Sequence, residues 1–228
     1  QIAERLPDGV APLGMAFLPK VHGVTLRFTG VGMSKDEAEG RFHEIERSLA
    51  SVLHPWRYEA QDGDLATAVS GALRRTGSRL AVAESCTGGL IAKRIVDVPG
   101  ASDVLVGGVV AYSDDVKRKV LDVPPRLLEE QGAVSEVVAR QMAVGVSKAL
   151  GAEAGIGITG VAGPDGGTAE KPVGTVWYAA TFGGRVVAQV QRFAGDREGI
   201  RERSAQAALF LLLRLLDGRL EQEVQGRD

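Results

Sequence analysis

Three short apolar runs, each followed by a polar or glycine-rich turn, constrain the fold of this chain most strongly. They cover residues 80–83, 104–112 and 154–158. Such runs are typical of buried strands, and the long run at 104–112 predicts a strand covered on both faces. Segments with helical apolar spacing, such as residues 65–73, separate the runs. The alternation predicts an α/β fold, a three-layer α/β/α sandwich with a mixed sheet.

A predicted hairpin and a long helix complete this sheet domain. A glycine pair separates the strand-like runs 174–182 and 186–193, as is common in hairpin turns. Asp196 is placed to cap a last helix, whose apolar stretch at 205–216 is too short to span a membrane and predicts a buried helix. That crowded stretch and the hairpin edge also suggest a self-associating surface, so we expect a homodimer.

The first 62 residues have a different pattern and predict a small α+β module. Residues 24–28 alternate like a half-buried strand, and Ser34 is placed to cap a helix. A polar, turn-rich segment at 61–64 marks the boundary. The predicted organisation is a module over 1–62, a main domain over 63–220 and a polar tail over 221–228.

Composition and charge exclude several classes of function. The 228 residues are 44% hydrophobic and 25% charged, which is ordinary for a globular protein. A net charge of -2 gives no basic footprint, so we expect neither DNA nor RNA as the main ligand. The first residues lack the apolar core of a signal peptide, and we expect a cytoplasmic protein.

Cysteine and histidine usage limits the possible chemistry. Cys86 is the one cysteine, which excludes an internal disulfide and a cysteine-rich zinc site. No histidine follows His54, so a Ser-His-Asp triad within the main domain is excluded. A metal could bind there only through oxygen atoms, and we expect neither a metal nor a cofactor.

Ser85 is the first candidate for chemistry. It lies in segment 83–89 (AESCTGG), where a predicted strand meets a glycine-rich turn at the start of a helix. The turn offers a nucleophile beside free backbone N–H groups, and without histidine the base must be Lys, Tyr or a carboxylate. A plain helix N-cap is the alternative interpretation of this serine. Expected substrate contacts in the turn are Glu84, Thr87, Gly88 and Gly89. Cys86 is a weaker nucleophile candidate, since no histidine can activate it.

Tyr112 and Lys117 follow the long apolar run and form the second candidate. Lys117 could accept the proton of Ser85 if burial removes it from water. The alternative is a solvated basic face over residues 117–119.

A glycine-rich loop and an arginine are the remaining candidates. Residues 159–168 (TGVAGPDGGT) follow a predicted buried strand and could bind an anion through backbone N–H groups, or form a flexible surface loop. Arg197 begins a helix, where the helix dipole disfavours a cation. We therefore expect it to have a partner such as a ligand phosphate or carboxylate, with Arg201 and Arg203 as alternatives.

Together these segments resemble the C-terminal domain of CinA proteins, which also occurs alone as the nicotinamide mononucleotide deamidase PncC. The matching stretches cover about 65–217: residues 83–89, 110–113 with Lys117, 132–135, 159–164, 170–176 and 195–197. Residues 1–62 look like the KH-like connecting module of a longer CinA protein. Their turn at 30–33 (GVGM) departs from the Gly-x-x-Gly motif of nucleic-acid-binding KH domains.

The resemblance implies hydrolysis of nicotinamide mononucleotide to nicotinic acid mononucleotide and ammonia, as in pyridine nucleotide salvage. The family's metal-free serine–lysine pair corresponds to Ser85 and Lys117, with Ser102 as the reserve nucleophile. Other matching pocket positions are Tyr112, Thr159, Gly160, Gly163 and Arg197. Asp114 stands where the family commonly has Asn, and its negative charge would hold the proton on Lys117 and weaken it as a base.

Two other functions stay open from the sequence. One is a catalytically impaired, nucleotide-binding regulatory or scaffold module of a multidomain CinA protein, which Asp114 beside the expected base would fit. The other is a partner in DNA processing, suggested only by the competence-related family name. Neither the charge nor any motif supports the second.

Overall fold

The structure is a computed structural model that describes residues 13–20, 23–54, 56–60 and 62–220. The chain divides into two compact units between Tyr58 and Glu59, close to the boundary expected at residue 62. The polar tail predicted over 221–228 lies outside the described residues.

The smaller unit is a hairpin with one helix. Strands β1 (Gly14–Lys20) and β2 (Gly23–Thr29) are antiparallel, and helix α1 covers Lys35–Leu53. The predicted cap is confirmed: Ser34 and Glu37 form a reciprocal capping box at the start of α1. Strand β1 is not predicted from the sequence, because Pro19 lies inside the segment and its apolar residues do not alternate with polar ones.

The larger unit is a five-stranded mixed sheet between two layers of helices, as predicted. Its main elements are α2 (Leu65–Thr76), β3 (Leu80–Glu84), α3 (Leu90–Val96), β4 (Leu105–Val110), α4 (Asp114–Leu121), α5 (Pro125–Gln131), α6 (Glu136–Leu150), β5 (Ala154–Gly160), β6 (Thr175–Phe182), β7 (Arg185–Arg192) and α7 (Arg197–Leu216). A short 3-10 helix, Ala101–Asp103, precedes β4.

The strand order is β4-β3-β5-β6-β7, so the three parallel strands are neighbours and their carboxyl ends lie on the same side of the sheet. Strands β4, β3 and β5 are parallel, whereas β6 and β7 run antiparallel to their neighbours. Helix α6 packs on one face of the sheet with α4 and α5 beside it, and α2, α3 and α7 form the other layer. The loops after β3, β4 and β5 therefore meet at the carboxyl edge, where ligand sites of α/β sheets lie.

Two expectations about exposure are wrong. Strand β4 was expected to be buried on both faces but is only partly buried: it lies at a sheet edge, and Val110 is 51% exposed, although α3 and α6 both pack against the strand. The apolar stretch of α7 is not a free surface for self-association, because most of its leucines are buried within the chain, where α7 packs on β6 and α2. Within the described residues, no helix combines the length and apolar character needed to cross a membrane.

Small residues let α6 pack unusually close to its neighbours. A Cβ added to Gly155 or Gly157 of β5 would overlap the α6 carbonyl oxygens of Ala143 or Ala139, respectively. A Cβ added to Gly145 of α6 would likewise overlap the carbonyl oxygen of Leu121, the last residue of α4. The position of α6 under the sheet thus depends on glycines that helix and strand propensities disfavour.

Two helix-interior glycines offer a matched test of this packing. We expect Gly145→Ala to lower the free energy of unfolding by about 1–3 kcal/mol, because α4 and α6 must separate. Gly71→Ala in α2, where the nearest atom is the Arg75 side chain at 3.7 Å, should raise it by about 0.5–1 kcal/mol. Urea denaturation followed by circular dichroism measures both, and stabilisation by both substitutions would contradict the close packing.

Candidate functional site

The turn after β3 lies between the segments that follow β4 and β5. The Ala111 N–H donates to the Glu84 carbonyl at 2.8 Å, and the Ser85 N–H donates to the Ile158 carbonyl at 3.0 Å. Adjacent strands are about 4.8 Å apart, so the three polar segments singled out in the sequence meet at one edge of the sheet.

The Glu84 carboxylate is the structural anchor of this turn. It is 1% exposed and accepts hydrogen bonds from the N–H groups of Gly89, Ile91 and Ala92 at 2.9–3.1 Å. These are donors at the start of α3 that have no partner within the helix. Glu84 therefore holds the helix start, and its expected contact with substrate stays a prediction.

The backbone donors expected around Thr87 and Gly88 are only partly available. The Gly88 N–H closes the turn by donating to the Ser85 carbonyl at 3.1 Å. The Thr87 N–H makes a hydrogen bond to the Cys86 thiol. The N–H groups of Ala162 and Gly163 donate to no backbone oxygen of the described chain, although both residues are buried. Because most buried N–H groups are paired, these two are the donors best placed to stabilise a developing oxyanion.

Thr87 contributes an unsatisfied hydroxyl. Its side chain is fully buried, and its Oγ1 has no hydrogen-bond partner among the described residues. A buried hydroxyl in this state costs about 1–3 kcal/mol, and such groups in native proteins call for a functional explanation.

Lys117 is buried, which excludes the solvated basic face as an explanation for it. The residue is 1% exposed, and its Nζ donates to the Tyr112 carbonyl at 3.2 Å and to Asp114 Oδ1 at 3.1 Å. Lysine has three donors, so one is left for another group. In the described structure no hydrogen bond joins it to Ser85, whose side chain is itself largely buried at 8% exposure.

Cys86 is not a competitor for the role of nucleophile. Burial raises the pKa of its thiol to about 12, so the thiol is protonated at neutral pH. The described residues hold no group of three or more His, Cys, Asp and Glu side chains arranged to bind a metal ion.

Arg197 and Tyr112 connect the loops of the site. Arg197 Nη1 donates to the Gly163 carbonyl at 2.6 Å, and Nη2 lies 3.5 Å from Tyr112 Oη. Arg197 thus has partners within the protein, and its expected contact with a ligand phosphate or carboxylate stays a prediction. The glycine-rich loop is not wholly a flexible surface segment, since its first part is buried and held by Arg197.

Thr159 and Gly160 have structural roles in the same loop. The Thr159 hydroxyl donates to the Ala133 carbonyl at 2.9 Å, which fixes the segment before α6. A Cβ added to Gly160 would lie 2.8 Å from the Thr175 carbonyl oxygen, so glycine is needed for the close approach of β6. Their expected contacts with substrate stay predictions.

A cleft between the starts of α3 and α7 was not foreseen from the sequence. It has a volume of about 280 Å³ and is lined by Leu90, Arg197, Glu198, Arg201 and Glu202. Arg201 Nη2 donates to the Thr87 carbonyl at 2.7 Å, which ties the cleft to the Ser85 turn. The spacing of Arg197 and Arg201, four residues apart on one helix, was the only available signal.

Ser102, the reserve nucleophile, lies away from this site. It is exposed in the 3-10 helix before β4, whereas Ser85 follows β3, and these two strands are parallel. The two serines therefore lie at opposite ends of these neighbouring strands, about one strand length apart. Within one chain, Ser102 cannot serve the site that Ser85 occupies.

The fold and the site define a three-layer α/β protein with a polar site at the carboxyl edge of its parallel strands. Residues 62–216 match the family described as CinA C-terminal domain, and the chain belongs to this family. The resemblance of the main domain to the C-terminal domain of CinA proteins is confirmed, and the KH-like module over residues 1–62 stays a prediction.

Relatives and solved structures agree with this assignment. A CinA-like protein of Gemmatimonas aurantiaca is 44% identical over 216 residues, covering 93% of this chain and 50% of the relative. A CinA superfamily crystal structure from Klebsiella pneumoniae is 39% identical with a TM-score of 0.65, covering 68% of this chain and 96% of that chain. The crystal structure of a competence/damage inducible protein from Agrobacterium tumefaciens is 37% identical with a TM-score of 0.66, covering 71% of this chain and 98% of that chain. The chain spans about half the length of the curated relatives it matches.

The unsatisfied hydroxyl of Thr87 can be tested by one isosteric substitution and its control. We expect Thr87→Val to raise the free energy of unfolding by about 1 kcal/mol, because it removes a buried polar group that has no partner. Thr159→Val should lower it by about 1–3 kcal/mol, because it leaves the Ala133 carbonyl unpaired. Urea denaturation curves measure the free energy of unfolding of both variants. Destabilisation by Thr87→Val would show that the Thr87 hydroxyl has a partner in the folded protein.

Proposed function

We propose that the main domain is an amidohydrolase that converts nicotinamide mononucleotide to nicotinic acid mononucleotide and ammonia. The observation that carries the proposal is the buried lysine of α4, the helix that follows β4. Lysine is almost never fully buried unless it is paired, and Lys117 is held at the carboxyl ends of the parallel strands, where the turn after the neighbouring β3 presents Ser85. The resemblance to the deamidase supplies the substrate and the reaction.

The proposed reaction passes through an acyl-enzyme. Ser85 Oγ attacks the carboxamide carbon while Lys117 Nζ takes the hydroxyl proton. The oxyanion is stabilised by the N–H groups of Ala162 and Gly163. Lys117 returns the proton to the leaving nitrogen, and ammonia departs. Water then attacks the Ser85 ester through the same base, giving the carboxylic acid and the free serine.

One observation favours a second candidate, a catalytically impaired nucleotide-binding module. Asp114 Oδ1 is 3.1 Å from Lys117 Nζ, so the proposed base is held in an ion pair with a carboxylate. The 55% exposed Asp114 side chain weakens the pair through solvent screening, which leaves the enzyme as the main proposal. For the whole protein we propose a cytoplasmic homodimer that does not act on nucleic acid.

Ammonia release from nicotinamide mononucleotide by the purified protein tests the enzyme proposal. We expect Ser85→Ala and Lys117→Ala each to lower kcat about a hundredfold or more, because each removes the same proton-coupled attack. The double variant should be little worse than either single variant, since residues that act as a unit are not additive.

Ser102→Ala is the matched control and should keep nearly full activity, because Ser102 lies at the amino ends of the parallel strands, away from Ser85. An active Ser85→Ala variant would refute the assigned nucleophile. Calorimetric binding of the mononucleotide by folded wild-type protein without ammonia release would instead support the impaired module.

A further inference from the structure

The cleft between α3 and α7 presents two guanidinium groups beside the Ser85 turn. Arg197 and Arg201 line it together with Glu198, Glu202 and Leu90. The cleft adjoins the turn closely, because a Cβ added to Gly88 would lie only 3.6 Å from Arg201 Nη2. A ligand held here would therefore lie next to the residues assigned to catalysis.

The two arginines are engaged to different extents. Arg197 uses both terminal nitrogens, one on the Gly163 carbonyl and one towards the Tyr112 hydroxyl, so it joins the two loops. In the described chain Arg201 makes one hydrogen bond, to the Thr87 carbonyl. A guanidinium has five N–H donors in a rigid fork, so Arg201 keeps most of its donors for an anion.

We propose that Arg201 binds the phosphate of a ribosyl monophosphate, while Arg197 positions the loops around the reacting group. This assignment deepens the proposed function and rests on it for the identity of the substrate. It also divides roles that the sequence analysis combined in Arg197.

The charges of the cleft favour a sugar phosphate over free phosphate. Glu198 and Glu202 line the same space as the arginines. Carboxylates repel a small dianion that can approach from any side, but they accept hydrogen bonds from sugar hydroxyls. A phosphate attached to a ribose can meet Arg201 while its hydroxyls face the carboxylates.

The distances fit a substrate that reaches both groups. One residue separates Ser85 from Thr87, whose carbonyl accepts a hydrogen bond from Arg201 at 2.7 Å. With 3.8 Å for each Cα step and the bond lengths from Cα to the carbonyl oxygen, the path from the serine Cα to the guanidinium nitrogen is at most about 13 Å. A ribose between a phosphate and a pyridine ring can bridge that separation.

Calorimetry with ribose 5-phosphate, which has no amide, tests the site without relying on turnover. We expect Arg201→Gln to weaken binding about tenfold to a hundredfold, with partial retention in Arg201→Lys, because a charge-assisted phosphate contact is lost. Arg203→Gln is the matched control, since Arg203 lies on the same helix, bonds the Ala194 carbonyl and does not line the cleft. Inorganic phosphate should bind more weakly than ribose 5-phosphate.

Turnover gives a second measurement. Arg201→Gln should raise KM for nicotinamide mononucleotide by a similar factor, and the rise should be smaller for the phosphate-free riboside. The proposal would be overturned if a folded Arg201→Gln variant bound ribose 5-phosphate as tightly as the wild type, or if Arg203→Gln lost as much affinity. It would also be overturned if the wild type did not bind ribose 5-phosphate at millimolar concentration. Loss of sugar-phosphate binding in Arg201→Gln, together with no ammonia release by the wild type, would keep the site and refute the reaction.

Discussion

The site depends on the buried carboxylate of Glu84. It accepts hydrogen bonds from three N–H groups at the start of α3. These bonds fix the helix to the end of β3 and hold the turn between them. Hydrogen bonds to an ionised acceptor are about twice as strong as neutral ones, which suits a buried helix start. The turn itself needs Gly88 and Gly89, whose φ values of 63° and 97° lie in the left-handed region.

Close packing on the opposite face positions the rest of the site. The glycines of β5 let α6 approach the sheet, and Gly145 lets α4 pack against α6. Because α4 carries Lys117, this contact fixes the helix that holds the proposed base. Packing of small residues thus supports the position of that helix.

Periodicity and capping signals were sufficient to predict most of the fold. The caps at Ser34 and Asp196 were recognisable because each provides a side-chain acceptor at the start of a predicted helix. The position of β4 at a sheet edge could not be predicted, since an apolar run does not show which neighbours cover it. The burial of Lys117 was equally hidden, because it begins a basic triplet whose other members, Arg118 and Lys119, are exposed.

The central claim is that Ser85 is the nucleophile, and trapping the acyl-enzyme tests it most directly. Wild-type protein turning over nicotinamide mononucleotide is quenched in acid, digested and mapped by mass spectrometry. We expect a mononucleotide acyl adduct, formed with loss of ammonia, on the peptide that contains Ser85, and no adduct in the Ser85→Ala variant. The assignment of Ser85 as the nucleophile would be wrong if the adduct formed on Ser102 or Cys86, or if Ser85→Ala turned over substrate as fast as the wild type.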